Sequence, residues 1–319
     1  MVQNGRRTTM QRDVAINDIW DGRFYGKNDM AKTGCNGCEG CSDCCRNTGD
    51  SIILDPLDMY CLTIWTHKSF EDMIEKEIEI RMTDGMILPN IMEYDEAHPE
   101  KPEGCPFLDE NGRCSIYAFR PGFCRLFPLG RYYVDEAVGN TQEEISHDAG
   151  AEKSSCNTEA EKKTCAAEAE KMSGDAETEK MSGDAAEGKL SGEPSENAQF
   201  CGKITHGRKR GFYYFLQKGE CTKADAERYE VKVSDWIGVE DMDPYEKFIC
   251  TWHFFLKDTA AQLARFPEKA REQIARSVLQ IFYVQPYDRF QDFYPQFEAR
   301  LASTEKQLAK IGFRYDADW

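Results

Sequence analysis

Apolar residues recur at helical spacing through the last third of the chain and predict three amphipathic helices. We expect Asp243 to cap the first, and the second to run from Pro267 to Pro286. Asp288 opens the third, and Gly312 is its natural C-cap. The aromatic residues of these helices keep the same spacing, which predicts core packing for Phe254, Phe255, Phe282, Tyr283, Phe290, Phe293 and Phe297.

Shorter elements are predicted in the rest of the chain. Asp55 can N-cap a helix from Pro56 to about His67, and Ser69 can open a second helix that reaches about Ile80. Turns are expected at 83–85 and 109–112, a short aromatic strand at 211–216, and a strand or a helix start at 231–237.

The segment 141–199 has a different composition from its surroundings. It contains no aromatic residue and holds 15 Asp and Glu against 6 Lys, so it cannot bury enough apolar surface to fold. From Glu152 it repeats every nine residues, beginning EKSSCNTEA and EKKTCAAEA. We expect a disordered, solvated tether. Its cysteines, Cys156 and Cys165, occupy a position that is Gly in three sister repeats, so we do not expect them to bind metal.

The overall charge narrows the class of protein. The 319 residues carry a net charge of −17, which argues against nucleic acid and against an anionic membrane surface as partners. No run of about 18 apolar residues exists to span a membrane, and no apolar stretch of a signal peptide follows the first residues. We therefore expect a cytoplasmic protein, in which 14 cysteines indicate metal binding rather than disulfides.

The cysteines fall into two dense groups: Cys35, Cys38, Cys41, Cys44 and Cys45, then Cys105, Cys114 and Cys124. Pairs separated by two residues can bind one metal ion, because a tight turn points both sulfurs inward. Four thiolates would close one zinc site and eight would close two. The run from Cys35 to Cys45 also has the spacing of a ferredoxin cluster, although Arg46 replaces the usual proline. Both alternatives stay open at this point.

The second group lies in a distinctive context: GCPFL from Gly104, GRCSIY from Gly112 and RPGFCRLFP from Arg120. Together with CxxCxxCC from Cys38, these motifs resemble the YkgJ-like zinc- or iron-chelating cysteine-cluster family, which includes flagellin lysine N-methylase. The resemblance implies metal ligands at Cys38, Cys41, Cys44, Cys45, Cys105, Cys114, Cys124 and Cys221. Cys35 is an additional candidate. Cys61 and Cys250 fall inside predicted helices and are expected to be core thiols, and Cys201 ranks below Cys221 as a ligand.

Arg120 and Arg125 flank the last cysteine of the second group. We predict that they offset the charge of the thiolates or bind an anionic ligand, with structural salt bridges as the alternative. The five histidines show no ligand spacing.

These patterns predict an α+β fold, in which a small metal-stabilised domain of short elements precedes a C-terminal antiparallel helical part. We expect the metal-binding domain at 1–140 and 200–240, the insert at 141–199 and the helical region at 241–319. Three functions stay open: a zinc or iron–sulfur protein with a structural or redox role, a protein-lysine N-methyltransferase, and an interaction module that recruits a basic protein through the acidic tether. S-adenosylmethionine is expected as a cofactor only for the methyltransferase. The sequence contains no strand–GxGxxG–helix motif that would bind it.

Overall fold

The computed structural model describes residues 16–35, 41–46, 51–74, 76–94, 103–137, 199–205, 207–219, 221 and 227–315. All described residues belong to one unit of the chain, which comprises Met1–Val138 and Gly192–Trp319. The nonapeptide repeat, with Cys156 and Cys165, lies outside them, so its predicted disorder stays a prediction.

One long strand organises the central antiparallel sheet. Strand β7 (Arg208–Gln217) pairs along its whole length with β5 (Leu129–Ala137). Its other edge is shared between β6 (Cys201–Thr205) and β1 (Trp20–Tyr25). Eight consecutive residues of β7 are buried, which confirms the aromatic strand predicted at 211–216 and extends it at both ends.

Two antiparallel ribbons accompany the sheet. Strand β2 (Met30–Gly34) pairs with β8 (Tyr229–Lys232), and β3 (Ile78–Thr83) pairs with β4 (Met86–Ile91). The turn predicted at 83–85 joins β3 to β4, and Gly85 has a φ of 83° there. Strand β8 runs directly into helix α5 (Val233–Ile237), so the stretch from 231 forms both a strand end and a helix.

The first helices are short. Helix α1 covers Ile16–Ile19 and α2 covers Pro56–Thr66, where Asp55 caps the helix as predicted. Helix α3 spans only Phe70–Met73, so the helix predicted to reach Ile80 is wrong beyond its first turn. Ile78 and Ile80 instead pair with β4, and this cross-strand pairing of apolar residues overrides the helical pattern.

Three long helices complete the fold. Helix α6 covers Met242–Leu263, α7 covers Glu268–Leu279 and continues as a π-helical turn over Gln280–Val284, and α8 covers Phe293–Ala309. The three-helix prediction is confirmed, but two caps were misassigned: Asp241 caps α6 and Asp292 caps α8. Asp288 instead accepts a hydrogen bond from the Phe290 amide in the turn before α8.

The core joins the helices to the sheet. Helix α6 packs on β6 and β7, and Tyr214 of β7 donates a hydrogen bond to buried Glu246 of α6 at 3.1 Å. Of the aromatic residues predicted to be in the core, Phe290 is wrong, because it is 84% exposed. The others are buried: Phe254, Phe255, Phe282, Tyr283, Phe293 and Phe297. Within the described residues, no helix is long and apolar enough to cross a membrane.

Helix α4 (Gly122–Leu126) is a single turn that precedes β5. The turn and β5 together connect the second cysteine group to the sheet.

The sheet register predicts how short the insert can be made. Ala137 pairs with Arg208 on one edge of β7 and Cys201 pairs with Phe212 on the other. Standard strand spacing and rise place the Cα atoms of Ala137 and Cys201 about 16 Å apart. A link of about eight Gly and Ser residues between Asn140 and Gln199 can span this gap, since extended chain covers roughly 3.3 Å per residue.

We expect this shortened protein to keep the denaturation midpoint and metal content of the full chain, because loop length adds little to the free energy of folding. Gln199 is retained because its Oε1 accepts a hydrogen bond from Asn28. Thermal denaturation and metal analysis of both proteins test this, and a loss of metal in the shortened form would make the repeat part of the site.

His253 predicts a pH dependence of stability. Its ring stacks on Tyr133 with centroids 3.5 Å apart, and burial lowers its pKa to about 3, with a smaller effect from Lys257. The unfolded chain therefore binds a proton near pH 6.5 that the folded chain does not bind until about pH 3. Stability contributed by neutral His253 is present above pH 6.5 and is lost as the pH falls.

We expect the wild-type protein to lose on the order of 2 kcal/mol more than His253→Phe between pH 7 and pH 5. The phenyl ring keeps the stack but cannot titrate, so the difference between the two proteins cancels the other titrating groups. Urea denaturation at both pH values measures it, and parallel losses would contradict the assignment of a buried neutral imidazole.

Candidate metal centre

Two of the cysteine segments are joined by backbone and side-chain bonds. Cys44 and Cys45 lie on the 3-10 turn Asp43–Cys45. The Cys105 amide donates to the Cys45 carbonyl at 2.8 Å, and Arg46 Nη1 donates to the Glu103 carbonyl at 2.9 Å. Residues almost sixty positions apart in sequence are therefore held side by side.

Cys105 and Cys114 are brought together by the turn predicted at 109–112, which is confirmed. The Asp109 carboxylate accepts hydrogen bonds from the Asn111 and Arg113 amides, at 2.9 Å and 2.8 Å. Leu108 and Cys114 then form a bridge across the loop. The loop folds back on itself, so both cysteines of this segment can face one point.

Cys124 is supplied by helix α4. The helix follows Pro121, and its Arg125 amide donates to the Pro121 carbonyl at 2.9 Å. The Gly122 amide donates to Asp58 Oδ1 in helix α2 at 2.8 Å. Cys124 is thus carried by a short element that is tied to a different part of the chain.

Four thiols interact with one another: those of Cys44, Cys105, Cys114 and Cys124. Burial raises the pKa of Cys124 well above its ordinary value, and the Cys105, Cys114 and Cys44 thiols raise it further. Burial likewise raises the pKa of Cys105 to about 11, with Cys114 and Cys44 adding to it. Burial also raises the pKa of Cys114, and Cys44 again contributes. Every pair within the four is therefore within electrostatic range.

Cys44 is the outermost member of this four-thiol cluster. It is exposed, whereas the other three are half-buried. Its sulfur lies 4.0 Å from that of Cys45, and this hydrogen bond is the main reason that the pKa of Cys44 is raised. Within the described part of the chain, no three His, Cys, Asp or Glu side chains are arranged closely enough to hold a metal ion. Four thiol groups form a donor set that suits a soft metal such as zinc or iron.

The other predicted ligands stay predictions. Cys38 lies outside the described residues, while Cys35, Cys41 and Cys221 are described as half-buried. Cys250 is buried, as expected for a core thiol, whereas Cys61 is only half-buried. The Cys250 thiol donates to the Cys201 carbonyl at 3.6 Å, which puts Cys201 beside α6.

The two flanking arginines differ in position. The pKa of Cys44 is raised mainly by its hydrogen bond to Cys45, and the pKa of Cys114 is raised mainly by burial. Arg120 lowers both pKa values by a smaller amount. Its guanidinium lies 4.3 Å from the centre of the Tyr117 ring, and its Nε is buried without an acceptor among the described residues. Arg125 instead donates to the Ala118 carbonyl and stabilises the charged forms of Asp58 and Cys61. Arg120 is therefore the arginine that lies at the cluster.

Comparison with protein families finds a model described as "Putative zinc- or iron-chelating domain" and named CxxCxxCC, which matches residues 37–230. That range spans more than half of the chain and contains both cysteine groups except Cys35, which lies just before it. The chain belongs to the CxxCxxCC family. No curated protein and no solved structure matches the chain.

The CxxCxxCC match ends before helix α6, so the three long helices lie outside the family domain. Two residues at the centre were not singled out from the sequence. Gly104 lets the Cys45 carbonyl approach closely, and Asp58 binds the start of the helix that carries Cys124. The glycine next to Cys105 could have been recognised in the sequence as a position of close backbone approach. The hydrogen bond from the Gly122 amide to Asp58 could not, because the two residues are 64 positions apart.

Proposed function

We propose that this protein binds one zinc or iron ion through the thiolates of Cys44, Cys105, Cys114 and Cys124. The observations that carry this proposal are the backbone bond from Cys105 to the Cys45 carbonyl and the Leu108–Cys114 bridge, which bring cysteine segments together. The influence of the four thiols on one another's pKa agrees with this arrangement. Four thiolates complete a tetrahedral site and leave no position for substrate. A closed site of this kind favours a structural role over a catalytic one.

The chemistry of the site follows from its charge. Without metal, burial and neighbouring thiols keep the four groups protonated, so binding of a divalent cation must release their protons. When bound, zinc or iron supplies a cross-link between the three segments and leaves the site with a net charge of about −2. Arg120 lies where its positive charge offsets part of that excess, and its buried Nε is available to donate to a thiolate sulfur.

The choice between the adjacent cysteines Cys44 and Cys45 distinguishes the two inorganic alternatives. A ferredoxin-like run would use Cys35, Cys38, Cys41 and Cys45. The four mutually interacting thiols instead include Cys44, which supports a single metal ion shared between both cysteine groups. In this proposal Cys45 contributes mainly through its backbone, and Cys35, Cys38, Cys41 and Cys221 are candidates for a second site.

Anaerobic purification followed by metal and acid-labile sulfide analysis tests the proposal. We expect close to one zinc or iron per chain with no labile sulfide, from preparations grown with either metal. Brown protein with stoichiometric sulfide would replace the mononuclear site by an iron–sulfur cluster, and metal-free protein that resists reconstitution would overturn the function.

The enzymatic alternative rests on family resemblance alone. A protein-lysine N-methyltransferase would transfer labelled methyl groups from S-adenosylmethionine to a lysine-rich protein, and the same anaerobic preparation can be assayed for it. An interaction module would instead retain a basic protein in a pull-down that depends on the acidic insert.

A further inference from the structure

We infer that Asp58 is a positioning residue for the metal-binding thiol of Cys124, acting through the backbone of helix α4. This inference rests on the proposed metal site. It assigns a role in metal binding to a carboxylate outside both cysteine groups.

The Asp58 carboxylate uses each oxygen for a different segment. Oδ2 accepts a hydrogen bond from the Asp55 amide at 3.0 Å, which completes the capping box of helix α2. Oδ1 accepts from the Gly122 amide at 2.8 Å, 64 residues further along the chain. A single side chain therefore joins the start of α2 to the start of α4.

This bond fixes the element that presents Cys124. Gly122 is the first residue of α4, and Cys124 follows two positions later in a helix of only five residues. The first amides of a helix have no partners within it, so their bonds to other groups determine how a short helix is held. Pro121 makes no side-chain cap here, and Asp58 takes that place.

The contact is buried and closely fitted. Asp58 is 6% exposed and Gly122 is buried, so water cannot readily replace the lost acceptor. A Cβ atom at position 122 would lie 3.2 Å from Tyr245 Oη and 3.7 Å from Asp58 Oδ1. The first of these contacts would be tight and the second ordinary, so glycine at position 122 leaves room for Tyr245 of α6 beside this bond.

The charge of Asp58 cannot by itself explain its position. Burial is the main reason that the pKa of Cys124 is raised, and the Asp58 carboxylate adds to it by disfavouring the thiolate. Arg125 and Arg131 favour the charged form of Asp58. The charge of a carboxylate at this place therefore disfavours metal binding, and its favourable contribution must come from the two hydrogen bonds that join α2 to α4. Only a carboxylate presents two acceptor oxygens to two amides, since Asn presents one.

Helix α3 provides a matched control. Asp72 has the same position in its own capping box, where it accepts from the Ser69 amide at 3.0 Å. Asp72 lies at the surface and, like Asp58, is the third residue of its helix. Asp72→Ala therefore removes a capping carboxylate without removing a bond to the cysteine segment.

The experiment compares the wild-type full-length chain with Asp58→Ala, Asp58→Asn and Asp72→Ala, each reduced and loaded with cobalt(II). The thiolate-to-cobalt absorption bands report the ligand geometry, and the rate of cobalt transfer to a chelator reports how firmly the ion is held. Urea denaturation of the metal-free proteins measures the general loss of stability.

We expect Asp58→Ala to release cobalt at least about tenfold faster than wild type, the size of effect typical of residues that orient metal ligands, with altered absorption bands. Asp58→Asn should be intermediate, and Asp72→Ala should match wild type in both readouts. If Asp58→Ala does not fold, the intermediate behaviour of Asp58→Asn decides the question.

If Asp58→Ala folds and has the same cobalt release rate and spectrum as wild type, the inference is overturned. If Asp58→Ala does not fold, the same equality between Asp58→Asn and wild type overturns it. Wild-type protein that fails to take up cobalt is a different result. It would remove the proposed function itself, and the positioning role with it.

Discussion

Changing Cys124 to Ala is expected to weaken metal binding by more than about a hundredfold, because loss of a residue that merely orients a ligand already costs 10–100-fold. Removing the Cys124 thiol also leaves only the Cys44, Cys105 and Cys114 sulfurs, which interact with it in the metal-free protein. We expect the purified variant to contain less than one tenth of the wild-type metal. Metal counted per chain, together with the affinity for cobalt(II), measures the effect.

Cys61→Ala is the matched control for this substitution. Cys61 is also half-buried and also interacts with Asp58, but it lies in helix α2 outside the four-thiol cluster. We expect its metal content to equal that of wild type, and the same holds for Cys156→Ala and Cys165→Ala in the repeat. Full occupancy in Cys124→Ala would refute the assignment of the cluster, as would loss of metal from a repeat variant.

Gly104→Ala is expected to separate the two cysteine segments. Gly104 has a φ of +110°, which disfavours any L side chain, and a Cβ atom there would lie 2.7 Å from the Cys45 carbonyl oxygen. That carbonyl accepts the hydrogen bond from Cys105 that joins the segments. The backbone strain alone costs of order 1–3 kcal/mol, and the steric overlap adds to it. We expect a lower denaturation midpoint and a loss of metal together.

Gly219→Ala separates the steric effect from the backbone strain. Gly219 also has a positive φ, +74°, but nothing lies within 4 Å of a Cβ atom there. We expect it to lose about 1 kcal/mol and to keep its metal. If Gly104→Ala behaved like Gly219→Ala in urea denaturation and metal analysis, the contact with Cys45 would have no special importance.

The sequence predicted elements well where their signals are local. The cap at Asp55, the turns at 83–85 and 109–112 and the strand at 211–216 each depend on a few adjacent residues, and all are present. The helix predicted after Ser69 failed beyond its first turn, because the residues near Ile80 pair with a strand formed by later residues. A capping residue identifies where a helix begins and carries no information on where it ends.

The candidate centre was predictable to a similar degree. Cysteine spacing and the motifs around Cys105, Cys114 and Cys124 pointed to segments of which two are joined by the bond from Cys105 to the Cys45 carbonyl, and family membership supports metal binding. The set of ligands stays a prediction. Spacing could not distinguish Cys44 from Cys45, since adjacent residues differ only in the direction of their side chains. Nor could it identify Asp58, because its bond to Gly122 exists only after distant segments have packed together.

The pairing of β1 with β7 has a consequence for synthesis of the protein. Trp20 pairs with Gln217, so a ribosome must add about 200 residues before the first strand meets its partner. The four thiols of the cluster are all made earlier, because Cys124 precedes the first residue of β7. A nascent chain therefore carries all four cysteines of the cluster while its central strand is still missing. Oxidation of the thiols has its widest opportunity in that interval, and an ion captured then would protect them before the sheet forms.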